Sequence, residues 1–183
     1  MTQIIGLNGN KQVGKDTFLL HLKSQNSLSI TSRAFAKPVY DMLETMLGVL
    51  PRKRDSYEID KDAVVIPYGK TLRHMLQTLG TEWGRDLIHP DIWVLHANQW
   101  LQTTMLQKPD CVVFSDVRFN NEANFIRDMG GVVINVSRAG ENGDSHASEA
   151  GIPSELVDYH IRNTTLPEFY SSIDNLMEQI YDS

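Results

Sequence analysis

Gly9-Asn10-Lys11-Gln12-Val13-Gly14-Lys15-Asp16-Thr17 gathers two spaced glycines, a lysine, a carboxylate and a hydroxyl directly after the apolar run Ile4-Ile5-Gly6-Leu7. This is the G-x-x-x-x-G-K frame of a phosphate-binding loop, set between a strand and a helix. In such a loop the backbone N–H groups ring a polyphosphate, and the following helix turns its positive end toward the same charge. Lys15 supplies a mobile cation that can follow the β- and γ-phosphates. The Ser or Thr that usually follows the lysine is replaced by Asp16, and the hydroxyl comes one residue later at Thr17. Asp16 can stabilise the helix dipole, hold a water on Mg²⁺, or face an acceptor phosphate. Thr17 can turn its hydroxyl toward phosphate or metal. A chance glycine–lysine spacing is the competing explanation, and the strand–loop–helix setting weighs against it.

A second group is Ser115-Asp116-Val117-Arg118, after the apolar run Cys111-Val112-Val113-Phe114. A carboxylate at the end of a buried strand beside a phosphate loop is where a Mg²⁺-organising Asp116 belongs. Arg118 leaves the same strand end, where open α/β sheets bind ligands, and its planar fork can hold a phosphoryl group through two bonds. Alternatively, Asp116 and Arg118 cap the next helix and pair with each other. Lys37, Arg73, Gln77 and Arg85 form an acceptor-side set: a cation for a phosphate and an amide for a base edge. Each taken alone also fits an ordinary surface position. Trp83 and Trp93 can stack on a base or pack in a core. Arg138 can close over donor phosphates. The six histidines show no paired ligand spacing, and His146-Ala147-Ser148-Glu149 is too short for a metal site.

The elements that must position these groups follow from periodicity. Residues 3–7 read as a buried strand, Lys15 to Ser24 as a helix, and 28–36 as a second strand. Pro38 opens a helix with Val39, Met42, Leu43, Met46 and Leu47 on one stripe, ended by Gly48. Residues 51–62 mix Arg52, Lys53, Arg54 and Lys61 with Asp55, Glu58, Asp60 and Asp62, as a solvated loop or a mobile flap. Leu72, Met75, Leu76 and Leu79 predict a helix from Lys70 that Gly80 stops; Arg73 and Gln77 share one flank of it. A long helix follows Pro90. The β-branched runs 111–114 and 132–136 predict buried parallel strands around a helix from Phe119 to Met129. Residues 138–151 read as a lid, Tyr159-His160-Ile161 as a last strand, and Thr165-Leu166-Pro167-Glu168 as the capping box of a helix through Ile180. This alternation predicts a doubly wound α/β sheet.

Composition bounds the reading. At 183 residues the chain suits one domain, and 41% hydrophobic with 22% charged residues is ordinary globular usage. The net charge of −6 argues against a surface that coats nucleic acid. The single Cys111 cannot make an internal disulfide. With no apolar span and no leader ahead of the first strand, a cytoplasmic protein is expected.

Together these residues resemble the deoxynucleoside monophosphate kinases of bacteriophages. The resemblance rests on Gly14-Lys15-Asp16-Thr17, on Leu72-Arg73-His74-Met75-Leu76-Gln77-Thr78-Leu79-Gly80-Thr81-Glu82-Trp83-Gly84-Arg85, and on Pro90-Asp91-Ile92-Trp93. It continues in Ser115-Asp116-Val117-Arg118-Phe119-Asn120-Asn121-Glu122-Ala123 and His146-Ala147-Ser148-Glu149, and so spans most of the chain. It implies a three-layer P-loop kinase fold with five parallel strands, in a single domain with a nucleotide-binding flap at about 37–88 and a short lid at about 138–151. It also implies transfer of the γ-phosphoryl group of ATP to a deoxynucleoside 5′-monophosphate, with Mg²⁺.

On that basis Gly9, Lys11, Val13, Gly14, Lys15, Asp16 and Thr17 are expected to cradle ATP. Asp16, Thr17 and Asp116 would organise hydrated Mg²⁺. Lys15, Asp16, Arg118 and Arg138 would act on the migrating phosphoryl group. Lys37, Arg73, Gln77, Trp83, Arg85, Asp116 and Arg118 would face the monophosphate. The expected partners are ATP and the dNMP, with no nucleic acid and no membrane; homodimerisation stays open. The expected place is the cytoplasm, that of a host cell if the chain is phage-encoded. The rival readings are a kinase of dephospho-coenzyme A or phosphomevalonate, and a nucleotide-binding switch without transferase activity.

Overall fold

The computed structural model describes residues 2–25, 28–53, 57–138 and 151–182. Residues 139–150 of the expected lid, including the His146–Glu149 run, lie outside them. The strands are β1 (Gln3–Asn8), β2 (Ile30–Arg33), β3 (Val64–Val65), β4 (Lys70–Thr71), β5 (Cys111–Phe114), β6 (Val132–Arg138) and β7 (Tyr159–Asn163). The helices are α1 (Lys15–Ser24), α2 (Lys37–Leu47), α3 (Leu72–Gln77), a π-helix (Thr78–Ile88), α4 (Ile92–Met105), α5 (Asn120–Asp128) and α6 (Leu166–Asp182). The chain falls into two compact units, Met1–Phe35 with Ala97–Ser183, and Ala36–His96.

The first unit carries the five-stranded sheet, in the order β2-β5-β1-β6-β7, every pairing parallel. Side chains alternate across it with period two. Ile5, Leu7, Cys111, Val113, Ile134, Val136 and Ile161 bury one face against Phe18 and Leu22 of α1 and Phe169, Ile173, Met177 and Ile180 of α6. Each of the large side chains contributes about 1.5–3 kcal/mol by leaving water. On the other face Phe114 stacks on Phe35 and meets Trp100 and Phe125 edge-on. There Gly6 lets α5 approach, since a Cβ on it would lie 2.4 Å from Ile126 Cδ1. Helices on both faces make the three layers of a P-loop kinase fold. β1 sits between β5 and β6, where the strand order reverses, so its carboxyl end is the point at which open α/β sheets bind ligands.

The second unit has its own core of Leu43, Leu50, Val65 and Leu72, packed with Tyr40, Leu47, Met75 and Leu76. Periodicity does not mark β3 and β4, which form a two-residue antiparallel hairpin. The charged segment is cross-braced: Arg52 bridges Ile59, Lys53 Nζ meets Glu58 Oε1 at 2.7 Å, and Lys61 lies over the Tyr40 ring. Gly48 ends α2 with a φ of 78°.

The expectation that Gly80 stops the next helix is wrong. The chain continues through Gly80 as a π-helix to Ile88, because Gly80 is not among the glycines at positive φ. Its carbonyl accepts the Trp93 indole N–H at 2.7 Å, so no chain reversal is needed to satisfy it. The second strand is also shorter than expected, Ile30–Arg33. Among the described residues no helix is long and apolar enough to cross a membrane.

Candidate active site

β1 delivers the loop to the switch point. Asn8, buried at its end, donates from Nδ2 to the Val117 carbonyl at 2.8 Å, and Val117 N–H donates back to Leu7 O at 3.0 Å. These two bonds tie the root of the loop to the Asp116–Arg118 segment. Two loop positions demand glycine. Gly9 has φ 132°, and a Cβ there would lie 2.1 Å from the Val136 carbonyl oxygen. Gly14 has φ 115°, and its Cβ would lie 2.4 Å from Asn163 Nδ2. Both are left-handed conformations that a side chain resists.

Gly14 is also the N-cap of α1 and brings no capping side chain. A helix start of this kind, with the helix dipole behind it, suits an anion. Lys15 Nζ donates to the Gly9 and Asn10 carbonyls, both at 2.6 Å, closing the loop over itself. Asp16 lies in the first turn of α1, followed by Thr17.

β5 ends beside β1, with Gly6 opposite Phe114. Asp116 follows, and its Oδ1 accepts the Phe35 N–H at 2.6 Å, joining the exit of β2 to that of β5. Glu122, the third residue of α5, reaches back to the two residues that precede the helix. This carboxylate, 2% exposed, accepts the Arg118 N–H at 2.7 Å and the Phe119 N–H at 3.2 Å. The backbone from which the Arg118 side chain springs is thereby fixed by a buried carboxyl group. Arg138 ends β6 opposite Asn163 of β7. Arg33, at the end of β2, lies 5.2 Å from the Trp100 ring centroid. Loop, Asp116, Arg118 and Arg138 thus leave the carboxyl edge of one sheet.

The other expected residues belong to the second unit. Lys37 begins α2 and pairs with Asp41 one turn on. Arg73 and Gln77 are both in α3, and Arg73 holds Asp62 through Nε at 2.8 Å and Nη2 at 3.2 Å. Arg85 donates to the Pro90 carbonyl at 3.1 Å, spanning the end of the π-helix and the start of α4. The two tryptophans separate: Trp93 is buried at 5% exposure, whereas Trp83 is 38% exposed on the π-helix.

Sequence reasoning missed Asn163, Glu122, Asn8 and Arg33. Three of the four act through backbone groups or rings distant in sequence, which no local motif marks; Glu122 alone was visible, as an acid four residues after Arg118. No group of three or more His, Cys, Asp or Glu side chains that could hold a metal occurs among the described residues.

Residues 63–173 match the family model described as deoxynucleotide monophosphate kinase. A protein of Acanthamoeba polyphaga mimivirus is 34% identical over 93% of this chain and 93% of its own length. The deoxynucleoside-5′-monophosphate kinase of Escherichia phage T5 is 28% identical over 100% of this chain and 96% of its own. Among solved structures, TT1252 from Thermus thermophilus shares the fold, with a TM-score of 0.56 at 16% identity over 97% of each chain.

Proposed function

The chain belongs to the deoxynucleotide monophosphate kinase family, and from that premise we propose that it transfers the γ-phosphoryl group of ATP to a deoxynucleoside 5′-monophosphate. A phosphate oxygen of the acceptor bonds to the γ-phosphorus, the bond to the β–γ bridging oxygen breaks, and ADP leaves. The observation that carries this reading is the phosphate loop at the switch point, tied at its root to an Asp-x-Arg segment on the adjacent strand end. A loop alone would bind a polyphosphate; a guanidinium on the neighbouring strand end provides for a transferring group.

The acceptor is already an ionised phosphate, so little is left for a general base. Catalysis is then positioning and charge neutralisation. Gly9 to Thr17 would receive the donor, with Lys11 and Val13 on its rim. A γ-phosphate offers the Lys15 ammonium a charged acceptor in place of two neutral carbonyls, and the charge-assisted bond is the stronger. Arg118 and Arg138 would span donor and acceptor oxygens as charge moves between them. Lys37, Arg73, Gln77, Trp83 and Arg85 are proposed to receive the monophosphate.

Mg²⁺ fits the donor set, because Asp16, Thr17 and Asp116 offer oxygen ligands only. One or two carboxylates suffice where substrate phosphates and water complete the shell. When bound, the ion neutralises charge on the β- and γ-phosphates. The proposed setting is the cytoplasm, with ATP and a dNMP as partners and no nucleic acid or membrane.

The test is a panel of the common dNMPs and NMPs with ATP and Mg²⁺, read as diphosphate formation. Conversion of at least one dNMP is expected. Conversion of dephospho-coenzyme A or phosphomevalonate with none of the nucleotides would overturn the reading.

A further inference from the structure

We infer that Asn163, the last residue of β7, is a positioning residue that aims the Gly14 N–H into the phosphate loop. The inference rests on the reading above, in which that loop receives the donor. Asn163 is 8% exposed, and its Nδ2 donates to the Val13 carbonyl at 2.8 Å, across 150 residues of chain. The amide nitrogen, not its oxygen, must face Val13, because a carbonyl can only accept.

A trans peptide carries its C=O and the following N–H on opposite sides. The cis bond described in the chain is Ile66–Pro67, so the Val13–Gly14 peptide is trans. With the Val13 oxygen held inward on buried Asn163, the Gly14 N–H points outward, toward the mouth of the loop. Gly14 immediately precedes Lys15 and caps α1, so this N–H stands beside the cation and the helix terminus meant for the same anion.

Contact tightens the arrangement. A Cβ on Gly14 would sit 2.4 Å from Asn163 Nδ2 and 3.3 Å from Phe169 Cε1, so amide and ring close one side of the peptide. Phe169 is fully buried in α6 and also packs edge-on against Phe18 of α1. Lys15 closes the opposite end of the loop through Gly9 and Asn10. The loop is therefore fixed at both ends, by its own lysine and by the asparagine of a distant strand.

Without the Asn163 amide, the Val13 oxygen has lost a buried donor, and rotation of the peptide would carry the Gly14 N–H away from the anion. The loss should fall on the donor nucleotide. The acceptor does not depend on this N–H.

The test uses the full chain with Asn163→Leu, which keeps the size and removes the donor, and Asn163→Ala, which keeps the assay usable should the larger side chain fail to fold. ADP binding by calorimetry and steady-state kinetics for both substrates are compared with wild type. Ile173→Val, a methylene deletion in the same core, supplies a destabilised control. ADP affinity in the Asn163 variants is expected to fall about tenfold, as for loss of one buried hydrogen bond. KM for ATP should rise in step while KM for the dNMP stays within about twofold. The control should lose thermal stability with its ADP affinity unchanged.

Asn163 variants that bind ADP as wild type does, or that shift both KM values alike, overturn the inference and leave the kinase reading standing. Wild-type protein that neither binds ADP nor phosphorylates any dNMP overturns both.

Discussion

Lys15 and Arg118 stand on different elements, the first turn of α1 and the segment that follows β5, and both are proposed to meet negative charge. Lys15 lies at the start of α1 with its ammonium on the loop carbonyls, and Arg118 springs from a backbone held by Glu122. Neither contributes apolar packing to the sheet core. Lys15→Ala and Arg118→Ala should therefore each lower kcat by at least about 100-fold, the scale for losing one preorganised charge-stabilising group. Their circular dichroism and melting temperature should stay close to wild type. Near-wild-type turnover in either folded variant would remove that residue from the mechanism. At this scale the sequence was legible where chemistry is local: Gly9, Gly14, Lys15 and the Asp-x-Arg run stand out by spacing. Asn163 does not, because a single asparagine at a strand end is unremarkable until β7 is laid beside β6 and the loop. Spacing does not mark two contacts around the Asp-x-Arg run: Glu122 reaches back to the Arg118 and Phe119 N–H groups ahead of α5, and Asp116 accepts the Phe35 N–H.

Elements show where periodicity ends and packing begins. The π-helix Thr78–Ile88 holds much of the Leu72–Arg85 stretch that the resemblance rests on, and Gly84 is the residue that lets it pack against Trp93. A Cβ on Gly84 would lie 2.4 Å from Trp93 Cζ2 and 3.0 Å from Cε2. The indole cannot withdraw freely, since its N–H is bonded to Gly80 O. Gly84→Ala should thus destabilise the protein by about 1–3 kcal/mol, the usual cost of overpacking. Chemical denaturation of the full chain gives the value, and an unchanged midpoint would show that Trp93 yields without cost. The lesson about Gly80 is the same. Sequence gives a glycine its permissive backbone, but only tertiary context decides whether that freedom ends a helix or admits a neighbour. By contrast α1, α2, β5 and the C-terminal helix were legible, because caps and apolar spacing act within a few residues. The α6 start keeps its return contact: the Thr164 hydroxyl, then Thr165, hold the Glu168 carboxyl below its usual value. The hairpin of β3 and β4 is two residues per strand, too short for alternation to register.

The whole molecule carries one reporter of its own opening. Cys111 is the single cysteine of the chain, fully buried in β5 between Gln3 of β1 and Ile30 of β2, and it packs in the core that α1 and α6 complete. Burial, and then the Asp110 carboxylate, push its thiol from 9.0 up to about 12. A raised folded value means that the native state holds this proton more tightly than the unfolded chain does. The stability it carries is complete below the unfolded value and is lost as pH climbs from about 9 toward 12. At pH 8 the native thiol is protonated and out of reach, so a thiol reagent can modify Cys111 only through opening of the sheet that bears the phosphate loop. Strand order is what places the reporter there, and it is the feature that periodicity could not supply, since buried parallel strands look alike in sequence. ATP that binds the closed form draws the open population down by mass action. At tenfold its dissociation constant, labelling should slow about tenfold. Mass spectrometry of the full chain against time, with and without ATP, reads the rate. Stoichiometric labelling within mixing time would show that β5 is not closed. A rate indifferent to ATP, while calorimetry detects binding, would show that the form open at β5 still binds the nucleotide, which a site on this sheet edge does not allow.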